Sequence, residues 1–190
     1  MLINEANSNA GRNIVYDDDA MKLIKNGSNP DLYPNNDWYG LVYRDSAPMQ
    51  EHNISVSGGG QTRYFVSGTF YEQNSLIPDR KLDRYSFRAN TERDFTDIFR
   101  LGTSVSYVKD DWARQGDFSI TDLDRMTPLT VAKHSDGSWG TVTGGVQSGV
   151  LAQNNPLRKM AEYGRANTQT ARLNGNINAT LKPIKGLEIN

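Results

Sequence analysis

The chain has no cysteine among its 190 residues, which excludes disulfide frameworks, thiolate metal sites and cysteine nucleophiles together. Neither sign of charge is in excess: 21 Lys and Arg face 22 Asp and Glu, for a net charge of -1. Without a basic footprint, nucleic-acid binding drops out as a class. Apolar residues are scarce as well, at 36% of the chain with a mean hydropathy of -0.66, too few for a conventional core. No run approaches the roughly 18 apolar residues that a membrane-spanning helix needs. A membrane role would have to use strands, where lipid-facing residues alternate with polar ones and average hydropathy stays low.

Catalytic signatures are missing too. No Gly-x-Ser-x-Gly elbow is present, and no phosphate-binding glycine loop follows an apolar strand. The acidic pairs and triplets Asp17-Asp18-Asp19 and Asp110-Asp111 lack the spacing of a calcium loop and read as helix capping or solvated turns. His52 and His134 stand far apart without a third ligand at matching spacing. The expectation is a protein without catalysis, cofactor or metal. Residues Met1 to Ala10 lack the basic and apolar regions of a signal peptide, so an exported protein is expected to be missing its start. Residues 182–190 read as a turn followed by a strand that has only begun.

What is present is two-residue alternation. The first segment, to about Ser46, is polar, with one helical candidate opening at Asp17-Asp18-Asp19, carrying Met21, Leu23 and Ile24, and closing at Asn26-Gly27. From Gln50 the period becomes two. Ile54 and Val56 alternate with Asn53, Ser55 and Ser57, and Tyr85, Phe87 and Ala89 alternate with Arg84, Ser86, Arg88 and Asn90. Leu101, Thr103 and Val105 form a third case. The longest runs through Leu173, Gly175, Ile177, Ala179 and Leu181 against Arg172, Asn174, Asn176, Asn178 and Thr180.

No second apolar layer is visible to cover these faces, whereas a soluble sheet must find one. An aromatic and small apolar face suits lipid; a face of Arg, Asn and Ser suits a wet lumen. Connectors alternate in length. Those at 58–60, 94–97 and 183–186 are short, and those at 72–83 and 109–167 are long, as periplasmic turns and extracellular loops alternate around an outer-membrane barrel. The expected organisation is an extracellular loop segment over 1–49, barrel strands with short periplasmic turns over 50–108, a long extracellular loop over 109–167, and a strand with the start of the next over 168–190. A soluble antiparallel barrel or sandwich, acting as a carbohydrate-binding or adhesin module, remains the alternative.

Candidate contacts follow from placement. Trp112, Arg114, Trp139 and Tyr163 lie in or beside the long loop, where aromatics next to polar groups can stack on a sugar or a peptide side chain; the plainer role is loop packing or an interfacial aromatic girdle. Ser138-Trp139-Gly140, after Asp136-Gly137, reads first as a turn. Arg63, Arg84, Arg88, Arg100 and Arg172 fall on the polar, lumen-facing side of the alternation, either hydrating the lumen or pairing with acidic groups inside it.

Several ordered pieces carry a resemblance. Asp37-Trp38, then Ala47-Pro48-Met49-Gln50-Glu51-His52-Asn53-Ile54-Ser55-Val56-Ser57-Gly58-Gly59, then Thr62-Arg63-Tyr64-Phe65-Val66-Ser67, resemble the start of the barrel in SusC/RagA-type TonB-dependent transporters of Bacteroidota. The likeness continues at Arg84 to Asn90, at Leu101-Gly102 and at Asn155-Pro156-Leu157. It implies an all-β, antiparallel transmembrane β-barrel fragment: about five to six strands of a barrel of about 22, with long extracellular loops containing short helices. It also implies the cell outer membrane as location, a SusD-type surface lipoprotein and the TonB complex as partners, lipid as surroundings, and a glycan, oligosaccharide or peptide as the imported substrate.

Overall fold

The computed structural model describes residues 2–115, 119–140 and 155–190. It divides into two compact units. One, here the sheet unit, comprises residues 45–114 and 166–190; the other, the loop unit, comprises residues 1–44 and 115–165.

The sheet unit is built from β1 (Met49–Gly58), β2 (Thr62–Asn74), β3 (Lys81–Thr96), β4 (Phe99–Gln115), β5 (Arg165–Ile184) and β6 (Leu187–Ile189), side by side in chain order. β1 pairs with β2, β2 with β3, β3 with β4 and β5 with β6, each antiparallel. Register fixes which side chains share a face. His52, Phe70, Tyr85 and Lys109 form one row across four strands, and Ile54, Gly68, Phe87 and Tyr107 form the next. The third row is Val56, Val66, Ala89 and Val105. The expected apolar face therefore exists as a continuous surface, and most of its large side chains are open, from 36% exposed at Tyr107 to 77% at Ile54, with Leu173 and Ile177 above 70%.

Aromatics bound that face at both ends. His52 stacks on Phe70 at 6.3 Å and Phe70 meets Tyr85 at 5.2 Å; at the β3–β4 turn Phe95 lies 5.8 Å from Phe99, beneath the Arg93 guanidinium. Between them, Thr91 and Thr103 satisfy each other's hydroxyl across the strands at 2.6 Å, which lets two polar side chains sit on an apolar surface. Gly58 lets the Tyr64 ring lie flat over the strand; a Cβ there would meet that ring at 2.6 Å.

The strands run further than alternation predicts. β3 begins at Lys81 and β4 continues to Gln115, so residues 109–115, expected in a loop, are strand. The connector expected over 72–83 shrinks to 75–80. The cause is visible on the apolar face, which turns polar above its aromatic row. Lys81 bridges Glu72 at 2.7 Å and Asp83 at 3.1 Å, and Lys109 bridges Asp111 at 3.0 Å. With charges on both faces, no hydrophobic period marks those residues as strand.

The loop unit contains α1 (Leu2–Asn9), α2 (Asp18–Asn26), α3 (Trp38–Val42), α4 (Ile120–Asp124) and α5 (Pro156–Glu162). α2 forms where expected: the Asp17 carboxylate accepts from the Ala20 N–H at 2.8 Å, and Gly27 closes the helix with φ 64. Its apolar stripe buries Ala20 and Ile24 with Tyr16, packed against Val15, Met21, Tyr33 and Leu129. Trp38, Val42, Leu123, Val131 and Pro156 are also buried. No helix among the described residues is long and apolar enough to cross a membrane, which says nothing of strands.

Candidate functional site

The polar face of the sheet holds the candidate arginines, and register shows what each one meets. Arg63 donates to Glu92 at 2.8 Å and to Asp94 at 2.9 Å; Arg100 reaches Asp94 at 2.6 Å and Glu92 at 3.0 Å. Two guanidinium groups and two carboxylates thus form a closed, neutral square near the β3–β4 turn. Arg84 grips Asp110 through Nε at 2.6 Å and Nη2 at 3.3 Å, a fork on a carboxylate that is itself buried. Arg88 and Arg172 are exposed and carry no ion pair among the described residues. Arg172 joins this face through Gly102, which lies against the Asn178 side chain, an even number of residues along β5.

The acids Glu92, Asp94 and Asp110 were not among the sequence candidates. Parity would have found them, since even-numbered residues of β3 and β4 share the arginine face. Arg63, Arg84 and Arg100 are therefore spent within the sheet.

Trp112 and Arg114 sit on the same face, two residues apart at the far end of β4 from the β3–β4 turn. Trp112 is the register partner of buried Leu82, is 48% exposed, and its indole N–H has no acceptor among the described residues. Arg114 is exposed and without an ion pair among the described residues.

Trp139 and Tyr163 belong to the loop unit and are differently placed. Residues 133–139 form a tight hairpin: Lys133 bridges Trp139, His134 N–H bonds Ser138 O at 2.8 Å, and Gly137 turns the chain at φ 87. Trp139 donates its Nε1–H to Glu162 at 2.5 Å, and the Lys133 ammonium stands 5.1 Å over its ring. That indole is engaged in packing its own loop. Tyr163 caps α5, its N–H on the Lys159 carbonyl, with the ring half-exposed.

Asn155 organises this part of the loop unit. Almost fully buried, it caps α5 by accepting from Leu157 N–H at 3.0 Å and Arg158 N–H at 3.3 Å, while its amide donates to Ala132 O at 2.7 Å. Gly140 approaches so closely that a Cβ would strike the Val131 carbonyl oxygen at 1.7 Å. Beside it, Asp31 accepts from the Ser135 hydroxyl at 2.5 Å and from its N–H at 2.9 Å. The hydroxyl and then the amide hold the Asp31 carboxyl below its ordinary range, and Ser138 does the same to Asp136. His134 lies 3.7 Å from Asp31, but the Ser135 hydroxyl donates to the aspartate and not to the imidazole, so no nucleophile and base are paired here. No cluster of three potential metal ligands occurs among the described residues.

No family model matches the chain. Two curated proteins of Formosa agariphila do align with part of it. TonB-dependent receptor P26 is 28% identical over 81 residues, 42% of this chain and 8% of that protein. TonB-dependent receptor P3 is 26% identical over 72 residues, 37% of this chain and 7% of that protein. Over those residues the chain is similar to TonB-dependent receptors. It spans less than a tenth of the length of these relatives. The similarity and the six-stranded antiparallel sheet agree with a piece of barrel wall.

Proposed function

We propose that this chain is part of the barrel wall of a SusC/RagA-type TonB-dependent importer in the outer membrane, taking up glycans, oligosaccharides or peptides with a SusD-type lipoprotein partner and no catalysis of its own. The observation that carries it is the spacing of the aromatic rows on the uncovered face. From Tyr85 to Phe95 is ten residues of β3, about 34 Å along a strand, or about 26 Å normal to the membrane at a tilt of ~40°. The apolar band of an outer-membrane barrel is about 25 Å tall. An uncovered apolar surface of this height is costly in water and suited to acyl chains. Glu72, Lys81, Asp83 and Asp111, beyond the aromatic row, then stand above the bilayer on the outer side with Lys109 at its edge, and the neutral Arg63–Glu92–Asp94–Arg100 square lies toward the periplasmic rim.

Cell fractionation of the full-length product tests this. Recovery in the detergent-extracted outer membrane supports it. Recovery in the soluble periplasm or the medium would instead make the chain a soluble β-rich binding module.

A further inference from the structure

The inward face of the sheet is left with an imbalance once its own ion pairs are subtracted. Glu92 and Asp94 neutralise Arg63 and Arg100, Asp110 neutralises Arg84, and Glu188 pairs with Lys182 at 3.0 Å. Among the described residues Arg88, Arg114 and Arg172 remain, all exposed, against one unpaired acid of the same face, Glu51. Such guanidinium groups are the preferred partners of planar anions, which they bind through two parallel N–H donors. Their neighbours on this face include amides and hydroxyls, among them Ser86, Asn90, Ser104, Ser106 and Asn174, with Val108 opposite Ser86. At the head of the row stands Trp112, an exposed ring with an unused N–H, two residues from Arg114.

We propose that Trp112, Arg114, Arg88 and Arg172 form a binding track for an anionic oligosaccharide, Trp112 stacking on a sugar ring and the arginines holding its carboxylates. Trp112 and Arg88 are separated by three register rows, Leu82 to Arg88 on β3, about 20 Å along the strand. A single sugar does not span that distance; a chain of several does. The fixed positive charge raises the local concentration of an anionic ligand and makes its capture sensitive to salt. This rests on the assignment of the face to a transporter lumen.

The test uses the full-length protein in outer-membrane vesicles, with an oligogalacturonate as probe, a neutral cello-oligosaccharide of equal length, and an oligoglutamate peptide of equal charge. The acidic sugar should bind more tightly than the neutral one, and raising the salt should erase the difference. Arg114→Gln and Arg88→Gln should each weaken the acidic sugar about tenfold and leave the neutral one unchanged, while Arg88→Lys retains part of the affinity. Trp112→Ala should weaken both sugars and Trp112→Phe should not. Equal binding of the two sugars, no binding of oligogalacturonate, tighter binding of oligoglutamate, or arginine variants without effect would each overturn the proposal. So would a loss of protease resistance in ligand-free Arg88→Gln vesicles, because the arginine would then hold another part of the protein. The amount of protein in the outer membrane is read separately, and its absence there would reject the transporter assignment itself.

Discussion

The two units spend a similar stock of residues in opposite ways. In the loop unit apolar side chains turn inward: Tyr16, Ile24, Trp38, Val42 and Leu123 are buried, and short helices are capped by Asp17, Asp37, Ser119 and Asn155. In the sheet unit they turn outward, and Ile54, Phe87, Leu173 and Ile177 stay uncovered while backbone ladders and cross-strand ion pairs hold the strands. The first unit is organised by water's rejection of apolar surface. The second leaves such surface open, as the proposed place in a barrel wall would require. Low average hydropathy therefore hides two different uses of apolar residues.

The contrast breaks most sharply at Trp38, which is buried and donates Nε1–H to Thr127 O at 2.9 Å. Trp38→Ala should cost the loop unit about 3–5 kcal/mol. Limited proteolysis should then cut within residues 1–44 while the strands stay protected; unchanged cleavage would show that burial does not hold this unit together. Phe87→Arg should act on the other unit, costing about 2–4 kcal/mol for an arginine in the lipid band and lowering the yield of assembled barrel, with Ser86→Arg tolerated. Equal damage from both would mean that the faces are exchanged.

A smaller effect is expected at Asn155. Replacing it with alanine removes the α5 cap and one of two donors to the Ala132 carbonyl, which keeps the Gly140 N–H at 3.2 Å, for about 1–2 kcal/mol. Hydrogen exchange should rise across residues 133–140 and 155–162 and nowhere in β2 or β3. Glu92→Gln should cost under about 1 kcal/mol, as exposed pairs contribute little even in a network; denaturant titration of the assembled barrel measures it. The smallest expected effect is with pH. Asp31 and Asp136 have carboxyls held below their ordinary range, so their contribution to the 133–139 hairpin is complete above the unfolded value of about 3.9 and is lost as pH falls through the lower folded values. Protection factors in that hairpin, corrected for the intrinsic pH dependence of amide exchange, should be flat from neutrality to about pH 4 and fall only below it.

Some of this was legible in the residue order. Helix α2 is a local matter: Asp17 supplies the cap, Gly27 the left-handed stop, and Ile24 with Ala20 the stripe, all within a few residues. The strands between His52 and Val105 were legible because one face is apolar and the other is not. The upper ends of β3 and β4 were not, since Lys81, Asp83, Lys109 and Asp111 put charge where the pattern expects grease and are reconciled only by ion pairs within and between strands. The candidate site divided in the same way. The shared face of the arginines follows from parity, but which are neutralised depends on carboxylates brought alongside by register.

Two-residue periodicity by itself determined the strand faces, because side-chain direction in an extended chain is a property of each residue and its immediate neighbours. Only the tertiary structure decided that Trp112 is open while Trp139 is tied to Glu162 and Lys133, and that Arg84 is clamped by Asp110 while Arg88 meets no acid among the described residues. Those outcomes depend on which distant residues pairing and loop closure bring within a few ångströms. Linear spacing does not contain that information.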